Sequence, residues 1–223
     1  MFKKGSANLA FSRRNLGQVA IAGLASAIFP KASDSGSPTS PNYAPVRVSD
    51  SDFGSYTQSW FLESFLELAD DLKEAKNNGK RFAVIWELDG CPYCRETHLI
   101  NFAIPQVTDF IRANFEIVRL DLKGAREVIN FNGTTMSERD LAKFYGIRFT
   151  PTIQFFPETL EKINGKKGEK IEVARIPGYL RPFPFLLFFQ FVHEKAYLET
   201  NFHKYLNSHV ALLTASGRAI PSW

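Results

Sequence analysis

Apolar residues recur along this chain in two rhythms, and the exchange between them outlines a layered fold. From Gln58 onward, Phe61, Phe65, Leu68 and Leu72 fall at helical spacing, supported by Leu62, Leu66 and Ala69, with Gly79 as a stop. "RFAVIWEL" (81–88) is a short apolar run with strand character. Pro92 suits the first position of a helix through Cys94, His98 and Leu99; Pro105 interrupts that helix and "QVTDFIRANF" resumes it. "EIVRLDL" (Glu116–Leu122) reads as a second strand, and "REVINFNGTT" holds Asn132-Gly133, a hairpin turn signal. The spacing predicts a helix capped by Ser137, with Asp140 at the capping-box position and Met136 and Leu141 placed as a staple. "PTIQFFP" is a third strand, and "KIEVARI" a fourth, reached through the solvated basic turn "NGKKGEK".

Past Pro182 and Pro184 the chain runs "FLLFFQFVHEKAYLETNFHKYL". Phe185 to Val192 is apolar almost all round, as in a buried helix that covers a sheet. The alternative is an exposed patch for a membrane partner. The order helix, strand, helix, strand, helix, strand, strand, helix indicates an α/β layer fold with a mixed sheet, a hairpin insertion and a long C-terminal helical segment.

The first 56 residues follow neither rhythm. Residues 1–33 carry Lys3, Lys4, Arg13, Arg14 and Lys31 and no acid, then an apolar run from Leu16 to Phe29. That run is too short for a membrane span, which needs about 20 residues. Basic, apolar and small segments in this order read as an export signal, with cleavage after Ala27 or after Ala32. Ser12, the arginine pair and Leu16 match part of the twin-arginine motif, so that route is expected, with an ordinary secretory signal as the alternative and an uncleaved anchor third. Either route predicts a periplasmic protein. Residues 34–56, rich in Ser, Pro, Asp and Gly, read as a flexible linker, and 57–223 as the folded domain.

This division changes the meaning of the net charge of +4. The leader holds +5 of it, so the remainder is close to neutral. That balance offers nothing to a nucleic-acid backbone.

The chain has two cysteines, in "DGCPYC" at the junction of the first strand and its helix. A cysteine at a helix start meets unpaired backbone N–H groups and the positive end of the helix dipole. Both favour thiolate, the attacking species in disulfide exchange. Cys91 is therefore the candidate nucleophile and Cys94, one turn on, the candidate resolving thiol. A loop this small adds little chain-entropy stability as a structural staple. A zinc site needs more ligands: His203 and His209 lie more than 100 residues from the cysteines. Haem attachment would need His where Arg95 stands. No metal and no cofactor is expected. Thr150-Pro151 precedes a strand, where proline cannot donate to the ladder and a cis peptide is one reason to keep it.

C-P-Y-C after a strand, with T-P before a later strand, resembles the thioredoxin superfamily. The longer strings "GCPYCRETH", "LDLKGAREVINFNGTTMSERDLAKFYGIRFTPTIQFF" and "IPGYL" resemble the exported, SoxW-type thioredoxin-related proteins associated with bacterial sulfur oxidation. The resemblance implies a thioredoxin fold, Cys91 and Cys94 as a redox-active disulfide, and Pro151 as the cis-proline. Pro92, Tyr93, Thr150 and Pro151 would line the substrate groove, with Gly178 beside it. It also implies partner proteins bearing disulfides or persulfides, and a membrane thiol-electron transporter of the CcdA or DsbD kind as donor.

Departures from the family pattern matter. Gly90 precedes the first cysteine, and the Pro-Tyr dipeptide is typical of glutaredoxins, which are weaker reductants than thioredoxin. Ile85 stands where many thioredoxins bury an aspartate. Glu87, two residues later on the same strand face, is a candidate for proton transfer to Cys94; otherwise it is solvent-facing or salt-bridged. The expected activity is thiol–disulfide oxidoreduction, in the reductase direction. An oxidase or isomerase, or a non-catalytic adaptor with a cysteine staple, are the alternatives.

Overall fold

The structure, a computed structural model, describes residues 43–49 and 55–223. The expected export signal, and most of the expected linker, lie outside the described residues. Where a flexible spacer is expected, the described part is paired chain: β1 (Val46–Arg47) runs antiparallel to β2 (Tyr56–Thr57). Composition does not signal this pairing, because its anchors are long-range: Tyr43 Oη donates to the Asp109 carboxylate, and Ser49 and Ser55 to Asp89.

The central sheet has four strands in the order β4-β3-β7-β8. β3 (Arg81–Glu87) is parallel to β4 (Phe115–Asp121) and antiparallel to β7 (Thr152–Phe155), which pairs antiparallel with β8 (Ala174–Pro177). Helices α1 (Leu68–Asn77), α2 (Pro92–Glu96) and α3 (Pro105–Asn114) alternate with the early strands, and a five-residue π segment, Thr97–Asn101, continues α2. β5 (Glu127–Ile129) and β6 (Thr135–Ser137) form the hairpin around Asn132-Gly133, and α4 (Glu138–Phe144) follows, capped by Ser137 Oγ accepting from Asp140 N–H at 3.1 Å.

Both faces of the sheet are covered, which is why β3 reads as a continuous apolar run rather than an alternating one. Phe82, Val84 and Trp86 join the core under α1 and α4; Ala83 and Ile85 join the core under α3 and α5 (Pro182–His193). Phe115 and Phe155 meet Phe189 of α5 with ring centres 4.9 and 5.0 Å apart. The apolar run of the last third is thus the helix expected to cover the sheet. It does not continue unbroken: Lys195 turns the chain at φ 59°, and Asn201 caps a separate α6 (Phe202–Ala215). Among the described residues no helix is long and apolar enough to cross a membrane.

Two expectations are corrected. The helix expected from Gln58 begins ten residues later, at Leu68. Ser64 Oγ captures the Leu66 N–H at 2.7 Å while donating to Asp71, and Leu66 takes φ 62°, so the helical ladder cannot start earlier. Phe61 still reaches the core, but Phe65 is left 96% exposed. The fourth strand starts at Ala174 rather than Lys170, because Gly168–Ile171 closes a tight 3₁₀ turn first.

The hairpin is tied down by one buried acid. Glu138 Oε1 accepts from Asp121 N–H at 2.8 Å and from Arg126 Nη2 at 2.5 Å, and its Oε2 from Arg126 N–H at 3.3 Å. A Cβ on Gly124 would collide with this carboxylate, so glycine there is a packing requirement.

Candidate active site

β3 carries the chain to the cysteine pair, and Gly90 makes the turn with φ 75°. Cys91 caps α2 at its N-terminus, with Pro92 in the first turn, where a missing N–H costs nothing. Its sulfur accepts the Cys94 N–H at 3.1 Å. The two cysteines are joined as a disulfide with Cα atoms 5.3 Å apart. They are 8% and 5% exposed, with Cys94 the deeper.

Thr150, at the other end of the sequence motif, meets the same sulfur. Its hydroxyl donates to Cys91 Sγ at 3.3 Å, and its carbonyl oxygen lies 3.6 Å away. The Thr150-Pro151 peptide is cis. Pro151 is buried at the foot of β7, and its carbonyl accepts the Gly178 N–H at 2.8 Å. This contact brings the "PGY" segment to the site.

An open groove of about 840 Å³ runs beside the disulfide, walled by Tyr93, Phe149, Thr150, Gly178, Tyr179 and Pro184. Of the four residues expected in it, Tyr93 and Thr150 line it, whereas Pro92 is exposed at the start of α2 and Pro151 sits behind. Tyr93 stacks on Tyr179 with centroids 5.9 Å apart, and both Tyr93 and Phe149 are more than half exposed. Glu96 and Arg181 add one charge of each sign. Burial, and then the Glu96 carboxylate, push the Tyr179 hydroxyl up, so it stays protonated and donates to Asn101 Oδ1 at 3.2 Å. Asn101 Nδ2 in turn donates to the Leu180 carbonyl at 2.9 Å. Asn101, fully buried in the π segment, thereby clasps the groove loop to the cysteine helix. Sequence reasoning passes over Asn101, because its partners lie about 80 residues away.

Glu87 is neither solvent-facing nor alone. It is 2% exposed, receives Arg119 Nε at 2.7 Å on one oxygen, and faces His98 Nε2 at 2.8 Å on the other. Strand alternation puts Glu87 on the same face as Ile85, under the helix that follows Cys94. His98 is fully buried, and its Nδ1 lies 3.1 Å from Gln58 Nε2. Gln58, His98 and Glu87 thus form a buried polar row that ends on the partly exposed Arg119, and Glu87 alone does not announce it.

The profile of the thioredoxin-like domain family matches residues 68–193, more than half of the chain. The chain belongs to that family. Its thioredoxin fold and its adjacent cysteine pair at disulfide distance support thiol–disulfide redox chemistry in general terms. Similar solved structures include a thioredoxin-fold protein from Helicobacter pylori, 21% identical, with 62% of this chain and 86% of that chain covered and a TM-score of 0.48. Another is a thioredoxin from Thermus thermophilus, 22% identical, with 56% and 83% covered and a TM-score of 0.42. No curated protein matches the chain.

Proposed function

We propose that this protein is an exported thiol–disulfide reductase that acts on partner disulfides or persulfides through Cys91. The observation that carries the thiol–disulfide exchange is the environment of Cys91 Sγ, and the reductase direction rests on the resemblance to the SoxW-type proteins. The Cys91 sulfur sits at a helix N-terminus, accepts a backbone N–H at 3.1 Å and a hydroxyl at 3.3 Å, and adjoins an open groove. Each donor stabilises a thiolate over a thiol.

In the reduced protein, the Cys91 thiolate attacks one sulfur of the partner's disulfide and expels the other as a thiolate. A mixed disulfide joins Cys91 to the partner. Cys94 gives up its proton and attacks Cys91 Sγ, releasing the partner's second thiolate and leaving the Cys91–Cys94 disulfide. The partner gains two electrons and this protein loses two. Glu87 is the candidate acceptor of the Cys94 proton, acting through its place under the helix.

The basic-apolar-small leader supports export to the periplasm, by the twin-arginine route. A reductase in an oxidising compartment has to be recharged, which supports a membrane thiol-electron transporter of the CcdA or DsbD kind as donor. The strings shared with SoxW-type proteins support a place in sulfur oxidation.

Equilibration of the protein in thiol–disulfide buffers tests the direction. A potential near or below about −250 mV is expected of a reductase. A value of about −120 to −180 mV would assign an oxidase or isomerase instead. A cysteine pair that resists alkylation after mild reduction would leave only an adaptor.

A further inference from the structure

The helix that starts at the cysteines ends in a π turn. Phe102 N–H donates to the Thr97 carbonyl at 3.0 Å, which closes the wide turn Thr97–Asn101. Turns of this kind are rare and concentrate at functional sites. Thr97, its first residue, donates its hydroxyl to the Tyr93 carbonyl at 2.9 Å. Asn101, its last, accepts the Tyr179 hydroxyl on Oδ1 at 3.2 Å and donates from Nδ2 to the Leu180 carbonyl at 2.9 Å. A carbonyl oxygen only accepts, so Leu180 fixes which end of the amide is nitrogen.

The π turn therefore holds one tyrosine at each end. Those two tyrosines stack, with centroids 5.9 Å apart and ring planes 21° from parallel, and both line the groove beside the disulfide. Gly178 N–H donates to the Pro151 carbonyl at 2.8 Å. The loop from Gly178 to Arg181 is thus pinned from two sides, by the proline that follows Thr150 and by Asn101. Asn101 is fully buried, and Tyr179 and Leu180, which its amide meets, are both groove residues. A leucine would fill the same space with no amide to desolvate, so packing alone does not call for asparagine there. What the amide adds is a fixed place for Tyr179 and Leu180. A wall set before the partner arrives spares binding the cost of ordering it.

We infer that Asn101 is a positioning residue for partner recognition: from the π turn it fixes Tyr179 against Tyr93, and so keeps the groove beside Cys91 in the shape that a partner's chain enters. It acts through the tyrosine pair and not on the reacting sulfurs, so its loss weakens partner binding and spares the exchange itself. The inference rests on the thiol–disulfide reading above.

The test uses the full chain, kept reduced by dithiothreitol, on two oxidants. Insulin is a protein disulfide whose chain has to lie in the groove; hydroxyethyl disulfide is too small to span it. In Asn101→Leu, KM for insulin should rise about three- to tenfold while kcat stays within about twofold. The rate on hydroxyethyl disulfide, and the dithiol–disulfide equilibrium against glutathione, should stay within about twofold of the wild type. Tyr179→Phe keeps the ring and removes only the hydroxyl; it should raise KM about two- to threefold, and it serves if the leucine variant does not fold. The double variant should be no worse than Asn101→Leu, because both changes remove the same bond. An insulin KM that stays at the wild-type value in both single variants, a double variant whose effects add, or a small-disulfide rate that falls as far as the insulin rate overturns the inference. So does a wild type that turns over hydroxyethyl disulfide but not insulin. A wild type inactive on both would instead sink the redox reading, and the inference with it.

Discussion

Thr150→Val replaces the hydroxyl that donates to Cys91 Sγ at 3.3 Å with a methyl group of similar size. The backbone donor from Cys94, at 3.1 Å, stays in place. A hydrogen bond to a charged group contributes about 1.5–3 kcal/mol net, and one to sulfur at this length belongs at the lower end. Cys91 is only 8% exposed, so water cannot fully replace the lost donor. The Cys91 pKa should therefore rise by about one unit, which corresponds to about 1.4 kcal/mol. Destabilising the thiolate destabilises the reduced form, so the potential should fall by up to about 30 mV. Thiolate ultraviolet absorbance and the pH dependence of alkylation both read the pKa directly. Thr150→Ser keeps the hydroxyl and should restore it. A Thr150→Val protein that titrates like the wild type, or a serine variant as impaired as the valine one, would refute the assignment of Thr150 as a thiolate donor.

The other predictions concern stability and recognition. Burial pushes the Asp71 carboxyl up to about 6, partly offset by the Ser64 hydrogen bond. The folded state then holds a proton that the unfolded chain has released, so stability should fall by on the order of 2–3 kcal/mol as pH rises from about 4 to about 6. Asp71→Asn should remove that slope in urea-midpoint measurements, and a slope that persists would place it elsewhere. Glu138→Ala should cost about 2–4 kcal/mol in the same assay, because it removes a buried carboxylate that accepts from the Asp121 N–H and from Arg126, and so frees the hairpin. Tyr93→Ala, which removes one side of the stacked groove wall, should lower kcat/KM for a protein disulfide about tenfold while leaving the reduction potential nearly unchanged. A potential that moves with kcat/KM would mean that Tyr93 acts on the disulfide and not on the partner.

What the sequence by itself determines here is what rests on local chemistry. The two-sided apolar strand, Pro92 and Cys91 at a helix start, the Asn132-Gly133 hairpin and the Ser137 cap all depend on residues within a few positions of one another. The placement of Thr150 and Tyr93 beside the cysteines was legible only because the order of motifs resembles a known family. Tertiary structure alone decided the rest. Helical periodicity from Phe61 to Leu72 runs straight through Ser64 and Leu66, yet a side-chain hydrogen bond to Asp71 and a left-handed Leu66 stop the helix short. Asn101 meets Tyr179 and Leu180, and Gln58 meets His98 across 40 residues of sequence. Such polar contacts leave no period and no spacing to read. They are fixed when burial removes water and each donor must find an acceptor among whatever the fold brings near.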